Sequence, residues 1–247
     1  MIYDFRKGHS AQYFSKLLTI NYDFDVEEIT LSREQLQQDE IGYFKRTKNN
    51  GMVRLGAFLP QYKDITYAST PALHIYQCET TEEKGFKMQI ANSSRNNYWS
   101  RDRSKHVQAE LQICKVCAKH LRNHYKISMG TNTFNNFILA LEESSRTKQT
   151  LVDSSGYIIN WRQVSHCFRD LKRFTCEKCG YKANNEQHYK YLHTHHISGV
   201  KTDNQRSNLQ CLCVKCHSEV DDHHQKKFAL EGLSQLLEFE QIRANIN

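Results

Sequence analysis

Residues 174–224 read FTCEKCGYKANNEQHYKYLHTHHISGVKTDNQRSNLQCLCVKCHSEVDDHH, and this stretch decides the fold of the second half of the 247-residue chain. It opens with a C-x-x-C pair at Cys176 and Cys179 and closes with another at Cys213 and Cys216. Each pair supplies two thiolates from one tight turn, and two such turns can close a tetrahedron around one ion. The spacing therefore predicts a structural zinc held by these four cysteines.

A second set of polar residues lies between and after the two cysteine pairs. His195 and His196 are adjacent, Asn208 follows in the same segment, and His217 comes directly after the last cysteine. A zinc ribbon that is purely structural requires none of these side chains, because the four thiolates already complete a tetrahedral site. The set therefore indicates chemistry beyond structural zinc.

The order of these elements resembles the HNH endonuclease family, whose active site is the ββα-metal finger. The resemblance covers roughly residues 160–225 and rests on C-x-x-C, LHTHHISG and NLQCLCVKCH in that order. Many members have Asp-His where this chain has His195-His196, and the His-His form is found in the colicin DNases. The resemblance implies a metal-dependent endonuclease with a zinc-stabilised ββα-metal nuclease domain.

Within this resemblance, His196 is expected to be the general base, since a neutral imidazole can take a proton from water near pH 7. His195 and His217 are expected to hold a divalent ion, Mg²⁺ or another, that neutralises charge on the phosphate. In the family the middle asparagine, here Asn208, orients the base histidine or pins the loop.

The third ligand of this ion is expected to be Asp221, with His223 or His224 as substitutes. His217 and Asp221 are four residues apart, so on a continuous helix they would lie on one face. The other interpretation is that His195, His196 and His217 are further zinc ligands or core histidines.

Composition limits the environment and the partner. The net charge of +7 and the isoelectric point of about 8.9 suit a polyanionic partner. The start of the chain, MIYDFRKGHSAQYF, lacks the apolar core of a signal peptide, and no apolar run is long enough to span a bilayer. The chain has nine cysteines, six of them in three C-x-x-C pairs, and these pairs favour metal thiolates over disulfides. We therefore expect a cytoplasmic protein that contacts no membrane.

The segment from Lys84 to Lys126 is strongly basic and contains aromatic residues. Cations neutralise phosphates, and aromatic groups can contact bases or sugars, so the segment predicts a nucleic-acid surface. The alternative is an ordinary solvated face. The residues expected to contact nucleic acid are Arg101, Arg103, Lys105, Tyr98 and Trp99.

A further C-x-x-C pair, Cys114 and Cys117, lies within this basic segment. The pair could form half of a second zinc site with Cys78, and His74, His120 or His124 are candidates for the remaining ligand. Buried free cysteines are the alternative interpretation, because one pair alone is a weak signal.

The remaining chain predicts an α+β fold. In the first half we expect a helix through Leu36 and Ile41 that begins at a capping box of Ser32 and Gln35, followed by strands over 52–59, 65–68, 73–78 and 86–91. A helix is expected over 133–143 and a linker over 144–156. A further helix is expected from Asn160, with Gln163 in the capping-box position. Residues 1–150 are expected to select the substrate and residues 151–247 to form the nuclease domain.

These expectations combine into one functional prediction, which is an HNH endonuclease that hydrolyses phosphodiester bonds in DNA. Restriction, phage defence and phage-encoded nucleases are the settings that the resemblance implies. A homodimer would allow cleavage of both strands. The rival functions are a zinc-stabilised nucleic-acid-binding protein without catalysis and an HNH nuclease that cleaves RNA.

Overall fold

The computed structural model describes residues 37–39, 41–46, 52–58, 70–82, 89–91, 94–99, 106–144 and 152–244. The strand predicted over 65–68, and the region before residue 37, lie outside these ranges. Within them the fold is α+β, as predicted, with small antiparallel sheets and several helices. None of the helices in the described ranges is long and apolar enough to cross a membrane.

Small antiparallel sheets make up the described part of the first half. The first sheet contains β1 (Gln37–Gln38), β2 (Tyr43–Arg46) and β3 (Met52–Arg54), while β4 (Gly56–Phe58) pairs with β5 (Gln89–Ala91) and β6 (Arg95–Trp99) pairs with β7 (His106–Glu110). The strand predicted over 52–59 is divided at Leu55 into β3 and β4, which belong to different sheets. The strand predicted over 86–91 is confirmed in its described part. The strand predicted over 73–78 is wrong, because only Leu73 and His74 form isolated bridges there. The helix predicted to run through Ile41 is wrong at its end, because Gln37 pairs with Phe44 in β1 and β2.

The described part of the first half contains three helices: α1 (Glu79–Glu82), which lies between β4 and β5, and α2 (Lys115–Tyr125) and α3 (Phe134–Ser144), which follow the strands. The helix predicted over 133–143 is confirmed as α3. Its apolar residues Phe134, Phe137 and Ile138 are buried, and burial is continuous from Phe134 to Ala140, so this part of the helix is covered on all sides.

The second half is built around a hairpin flanked by helices. In order the elements are α4 (Trp161–Leu171), a 3₁₀ helix (Glu186–Tyr191), β8 (Leu192–His196), a short 3₁₀ helix (Arg206–Asn208), β9 (Leu209–Cys213), α5 (Val214–Ser218), α6 (Asp222–Lys227), a π-helical turn (Phe228–Gly232) and α7 (Leu233–Ala244). Strands β8 and β9 are antiparallel, with Leu192 opposite Cys213 and His196 opposite Leu209. The hairpin followed by α5 has the ββα order that the resemblance implies.

Helix α4 packs on the β8–β9 hairpin and holds it in place. Its Ser165 hydroxyl donates to Thr194 on β8 at 2.9 Å. The Arg169 guanidinium donates to the Leu192 carbonyl at 2.8 Å and to the Tyr189 carbonyl at 3.2 Å. Asn160 precedes α4 as predicted, but its side chain makes no capping hydrogen bond.

Gln163 has a different role from the capping function that its position predicts. Its side chain is buried, accepts a hydrogen bond from the Arg54 N–H at 2.9 Å and donates to the Arg54 carbonyl at 2.7 Å. A buried backbone group needs such partners. The side chain therefore ties α4 to the end of β3, in the first half of the chain.

The apolar core is continuous across residue 150. One cluster of buried residues includes Phe58, Phe137 and Phe168 and extends to Phe239. Polar contacts reinforce this junction, since the Asn135 amide donates to the Asp170 carboxylate at 2.6 Å. The division into residues 1–150 and 151–247 stays a prediction.

Candidate metal centres and nuclease site

Four cysteines converge where the β8–β9 hairpin meets α5. Cys213 ends β9, Cys216 lies in α5, and Cys176 and Cys179 form the facing turn. The four Sγ atoms lie within 4.8 Å of one another, and those of Cys179 and Cys213 are 3.7 Å apart. Sulfur atoms around a tetrahedral zinc with bonds of about 2.3 Å are about 3.8 Å apart. The donor set and spacing therefore fit zinc, as the sequence predicts.

The turn that contains Cys176 and Cys179 is shaped for metal binding. The Gly180 N–H donates to the Cys176 carbonyl at 2.9 Å, and Gly180 has a φ of 75°, which an L side chain would strain. A hydrogen bond from Cys213 lowers the pKa of Cys176 to about 4. The thiolate is the form that binds metal, and within the group Cys176 favours it, whereas burial raises the pKa of Cys216 and the hydrogen bond with Cys176 raises that of Cys213.

Three histidines form a second group on the adjacent face of the hairpin. His195 lies on β8, His217 on α5 and His224 on α6, and one nitrogen of each lies within 4.8 Å of the others. The ring centroids are separated by 5.1 Å, 4.9 Å and 5.1 Å, so the rings form a nearly equilateral triangle. The sequence predicts His195 and His217 in this role, and the structure brings them together.

The protonation of this triangle suits a metal ligand set. Burial lowers the pKa of His195, and burial together with the neighbouring imidazoles lowers the pKa of His217 to about 2. Both rings are therefore neutral near pH 7 and have a lone pair available for an ion. Imidazole nitrogens suit zinc, nickel or iron better than Mg²⁺, which prefers oxygen ligands. The residues present therefore fit a transition-metal ion.

Asp221, predicted as the third ligand, lies outside this triangle. Helix α5 ends at Ser218, and Asp221 is the N-cap of α6, so His217 and Asp221 do not share a continuous helix. The Asp221 carboxylate accepts from the His224 backbone N–H at 2.8 Å and lies 2.8 Å from His224 Nδ1. Because the helix ends between these two residues, His224 occupies the third ligand position that was expected for Asp221.

His193 is a member of the site that sequence reasoning gave no role. It shares a face of β8 with His195, and its Nδ1 lies 3.0 Å from Nδ1 of His217. Burial lowers the pKa of His193 to about 4, so the ring is neutral. A hydrogen bond to one nitrogen of a metal-binding histidine fixes its tautomer and ring orientation. Side chains alternate between the two faces of a strand, and this alternation in the sequence of β8 could have placed His193 beside His195.

His196 is the last residue of β8 and turns away from the histidine triangle. Pairing with β9 is regular through His196, so the two histidines alternate across the strand. Nε2 of His196 lies 2.9 Å from Oδ1 of Asn204, and the ring packs against Trp161 with centroids 4.5 Å apart. Burial lowers the pKa of His196, which leaves the ring neutral and able to accept a proton.

Asn208 fixes the loop between the two strands. Its Oδ1 accepts from the Ser198 N–H at 2.8 Å, and its Nδ2 donates to the Asp203 carbonyl at 2.8 Å. Its backbone carbonyl also accepts from the Ile197 N–H at 2.8 Å. These contacts match loop pinning, which is one of the two roles that the resemblance implies.

A third group with metal-ligand chemistry lies in the first half. His74, Cys78, Cys114 and Cys117 are all buried, and their ligand atoms lie within 4.8 Å of one another. The sequence predicts the three cysteines and names His74 among the candidates for the remaining ligand. His120 and His124, the other candidates, lie outside this group.

The predicted nucleic-acid surface is described only in part. Arg101, Arg103 and Lys105 lie outside the described residues, as does the side chain of Trp99. Tyr98 is only 8 % exposed, so its ring offers little surface for a base or sugar. Lys115, Lys119 and Arg122, three further basic residues of the segment, are exposed and recur along α2 at spacings of four and three. They therefore form one stripe on that helix.

Comparison with proteins of known name gives a partial likeness. The chain is 34 % identical over 70 residues to Zorya protein ZorE of Escherichia coli (strain ATCC 8739). The matched part is 28 % of this chain and 18 % of that protein. No model of a protein family matches the chain, and no solved structure matches it.

Proposed function

We propose that this protein is a metal-dependent endonuclease of the HNH type, and that it cleaves DNA. The observation that carries the proposal is the triangle of His195, His217 and His224 beside a separate group of four cysteines. A purely structural zinc site has no need of a second set of three ligands beside its own four cysteines. The ββα order of β8, β9 and α5 supports the same assignment.

In this proposal each side chain has a defined task. His195, His217 and His224 would hold a divalent ion, which supplies positive charge to a phosphate and lowers the pKa of bound water. His196, on the opposite face of β8, would accept the proton of the attacking water as the resemblance implies, because its ring is neutral. Asn208 keeps the loop that follows β8 in place, so the two histidines keep their relative position.

The setting that we favour is phage defence. The likeness to Zorya protein ZorE supports this role over the other settings considered for an HNH nuclease. Because the match spans 18 % of that protein, its partners and activity are not carried over to this chain. The stripe of Lys115, Lys119 and Arg122 on α2, together with the net charge of +7, supports a polyanionic substrate.

The test is incubation of the purified full chain with supercoiled plasmid, DNA oligonucleotide and RNA in Mg²⁺, Mn²⁺, Zn²⁺ and Ni²⁺. We expect DNA cleavage, with nicked plasmid before linear plasmid, because one chain holds one site. We expect transition metals to support it better than Mg²⁺, because the described ligands are imidazoles. The variant His195→Ala, purified in parallel, controls for contaminating nuclease.

Three results would overturn the proposal in different ways. Cleavage of RNA alone would make the protein an RNA-cleaving nuclease that uses the same residues. Binding of DNA without cleavage in any of the metals would make it a zinc-stabilised nucleic-acid-binding protein. Equal cleavage by the His195→Ala preparation would remove the histidine triangle from the chemistry.

A further inference from the structure

We propose that His74, Cys78, Cys114 and Cys117 bind a second structural zinc. This zinc would join the two ends of the chain segment that contains the β6–β7 hairpin. This site is independent of the nuclease proposal, because none of its four residues lies on the β8–β9 hairpin or its helices. It would be a closed site with three sulfur ligands and one nitrogen ligand.

The interatomic distances fit zinc and exclude a disulfide. Sγ of Cys78 lies 4.0 Å from Sγ of Cys114, and Nδ1 of His74 lies 3.2 Å from Sγ of Cys78. Around a tetrahedral zinc, sulfur atoms are about 3.8 Å apart, and nitrogen and sulfur are about 3.6 Å apart. A disulfide would require about 2.05 Å between the two sulfur atoms.

The backbone on one side of the site matches that of the Cys176-containing group. Cys114 directly precedes α2 and Cys117 lies in its first turn, just as Cys213 directly precedes α5 and Cys216 lies within it. In both cases a C-x-x-C pair starts a helix, whose N-terminal N–H groups favour thiolates. The same local arrangement therefore occurs twice in the described chain.

The other side of the site is held by backbone pairing. His74 exchanges two hydrogen bonds with Ala57 on β4, each 2.7 Å long, and the Cys114 N–H donates to the Leu73 carbonyl at 2.9 Å. The loop that carries His74 and Cys78 is thus fixed against the start of α2. All four ligand residues are buried, with Cys117 0 % exposed, so water is excluded from the site.

The chain between Cys78 and Cys114 contains α1, β5, β6 and β7. A metal joining its two ends restricts the unfolded chain and so stabilises the segment. Strands β6 and β7 are connected by residues 100–105, which include Arg101, Arg103 and Lys105. The second zinc would therefore anchor the base of a hairpin whose connecting segment contains three basic residues.

The experiment compares two buried cysteines on helices. Cys117 and Cys167 are both 0 % exposed, but Cys167 lies outside every cysteine group of the described chain. The full chain would be dialysed against a moderate chelator to empty weaker sites, and its zinc content measured by mass spectrometry. We expect two zinc ions per chain in the wild type and in Cys167→Ala, and one in Cys117→Ala.

Spectroscopy of the cobalt-substituted chain identifies the ligands and covers the case in which Cys117→Ala does not fold. Cobalt in a site with three sulfurs and one nitrogen absorbs at shorter wavelength than in a four-sulfur site. We expect both absorption bands in the wild type. The variant His74→Cys should still bind two ions, and its three-sulfur, one-nitrogen band should shift to the longer wavelength of a four-sulfur site. The proposal would be overturned if the wild type held one tightly bound zinc and its cobalt form showed only the four-sulfur spectrum. This result would count against the second zinc whether or not the protein cleaves DNA.

Discussion

The Asp221 carboxylate lies 2.8 Å from Nδ1 of His224. A carboxylate only accepts hydrogen bonds, so Nδ1 carries the hydrogen and Nε2 holds the lone pair. The hydrogen bonds from His224 lower the pKa of Asp221, so the carboxylate remains ionised at neutral pH. Asp221 therefore sets which nitrogen His224 offers to an ion, although it is outside the ligand group itself.

The first prediction follows from this pair. His224→Ala should remove a ligand, and Asp221→Ala should lower affinity for the catalytic ion by about 10–100-fold, because the ring loses the group that orients it. Calorimetric titration with Ni²⁺ or Zn²⁺ measures both. Asp222→Ala, one residue further along α6, is the matched control and should bind like the wild type. Unchanged affinity in Asp221→Ala would show that the hydrogen bond does not orient the ligand.

The second prediction separates the base from the ligands. His196→Ala should keep metal and DNA binding, since His195, His217 and His224 remain. Its cleavage rate should fall by about 10²–10⁴-fold, as for loss of a general base. His217→Ala should lose both ion affinity and cleavage. Single-turnover cleavage at saturating metal measures the effect, with His124→Ala, on α2, as the exposed-histidine control. Near-normal cleavage by His196→Ala would assign the base to another residue.

The third prediction concerns the four-cysteine zinc. Cys176→Ser should lose one zinc ion and a large part of the stability of the second half. Structural zinc contributes about 10–16 kcal/mol in small zinc fingers, which is comparable to the whole stability of a domain. Zinc analysis and thermal unfolding measure the change. Cys211→Ala is the control, because Cys211 is buried on β9 yet outside the group. Unchanged zinc content in Cys176→Ser would contradict the assignment.

The fourth prediction concerns the basic segment. Replacing Arg101, Arg103 and Lys105 together with Ala should weaken DNA binding and reduce the slope of log K against log salt by up to about 2.7. The matched control lowers the net charge equally but removes lysines that are paired with glutamates: Lys172, Lys190 and Lys215. Fluorescence anisotropy across a salt series measures both slopes. Equal slopes for the two triple variants would make the segment an ordinary solvated face.

The sequence predicted those parts of the site that depend on spacing along the chain. The four-cysteine group follows from two C-x-x-C pairs, because each pair is one local turn. His195 and His217 came from the resemblance, and their convergence depends on the short hairpin between them.

The parts that sequence reasoning missed depend on where an element ends and on contacts distant in the chain. The segment SEVDD has no glycine or proline to mark the end of α5, so Asp221 was preferred as the third ligand and His224 was named only as a substitute. Gln163 fits a capping pattern, but the backbone of Arg54, 109 residues earlier, provides its hydrogen-bond partners. Tertiary contacts of this kind override local preference.

The continuity of the core across residue 150 matters for anyone who wishes to produce the metal-binding half alone. A fragment that starts at Val152 would lose α3, uncovering the face of α4 against which it packs, and Asp170 would lose the Asn135 amide. The apolar surface of α4 that would be exposed in this way promotes aggregation. We expect the smallest well-behaved fragment with its zinc to begin before Thr133, about twenty residues upstream of the border that the chain composition suggests.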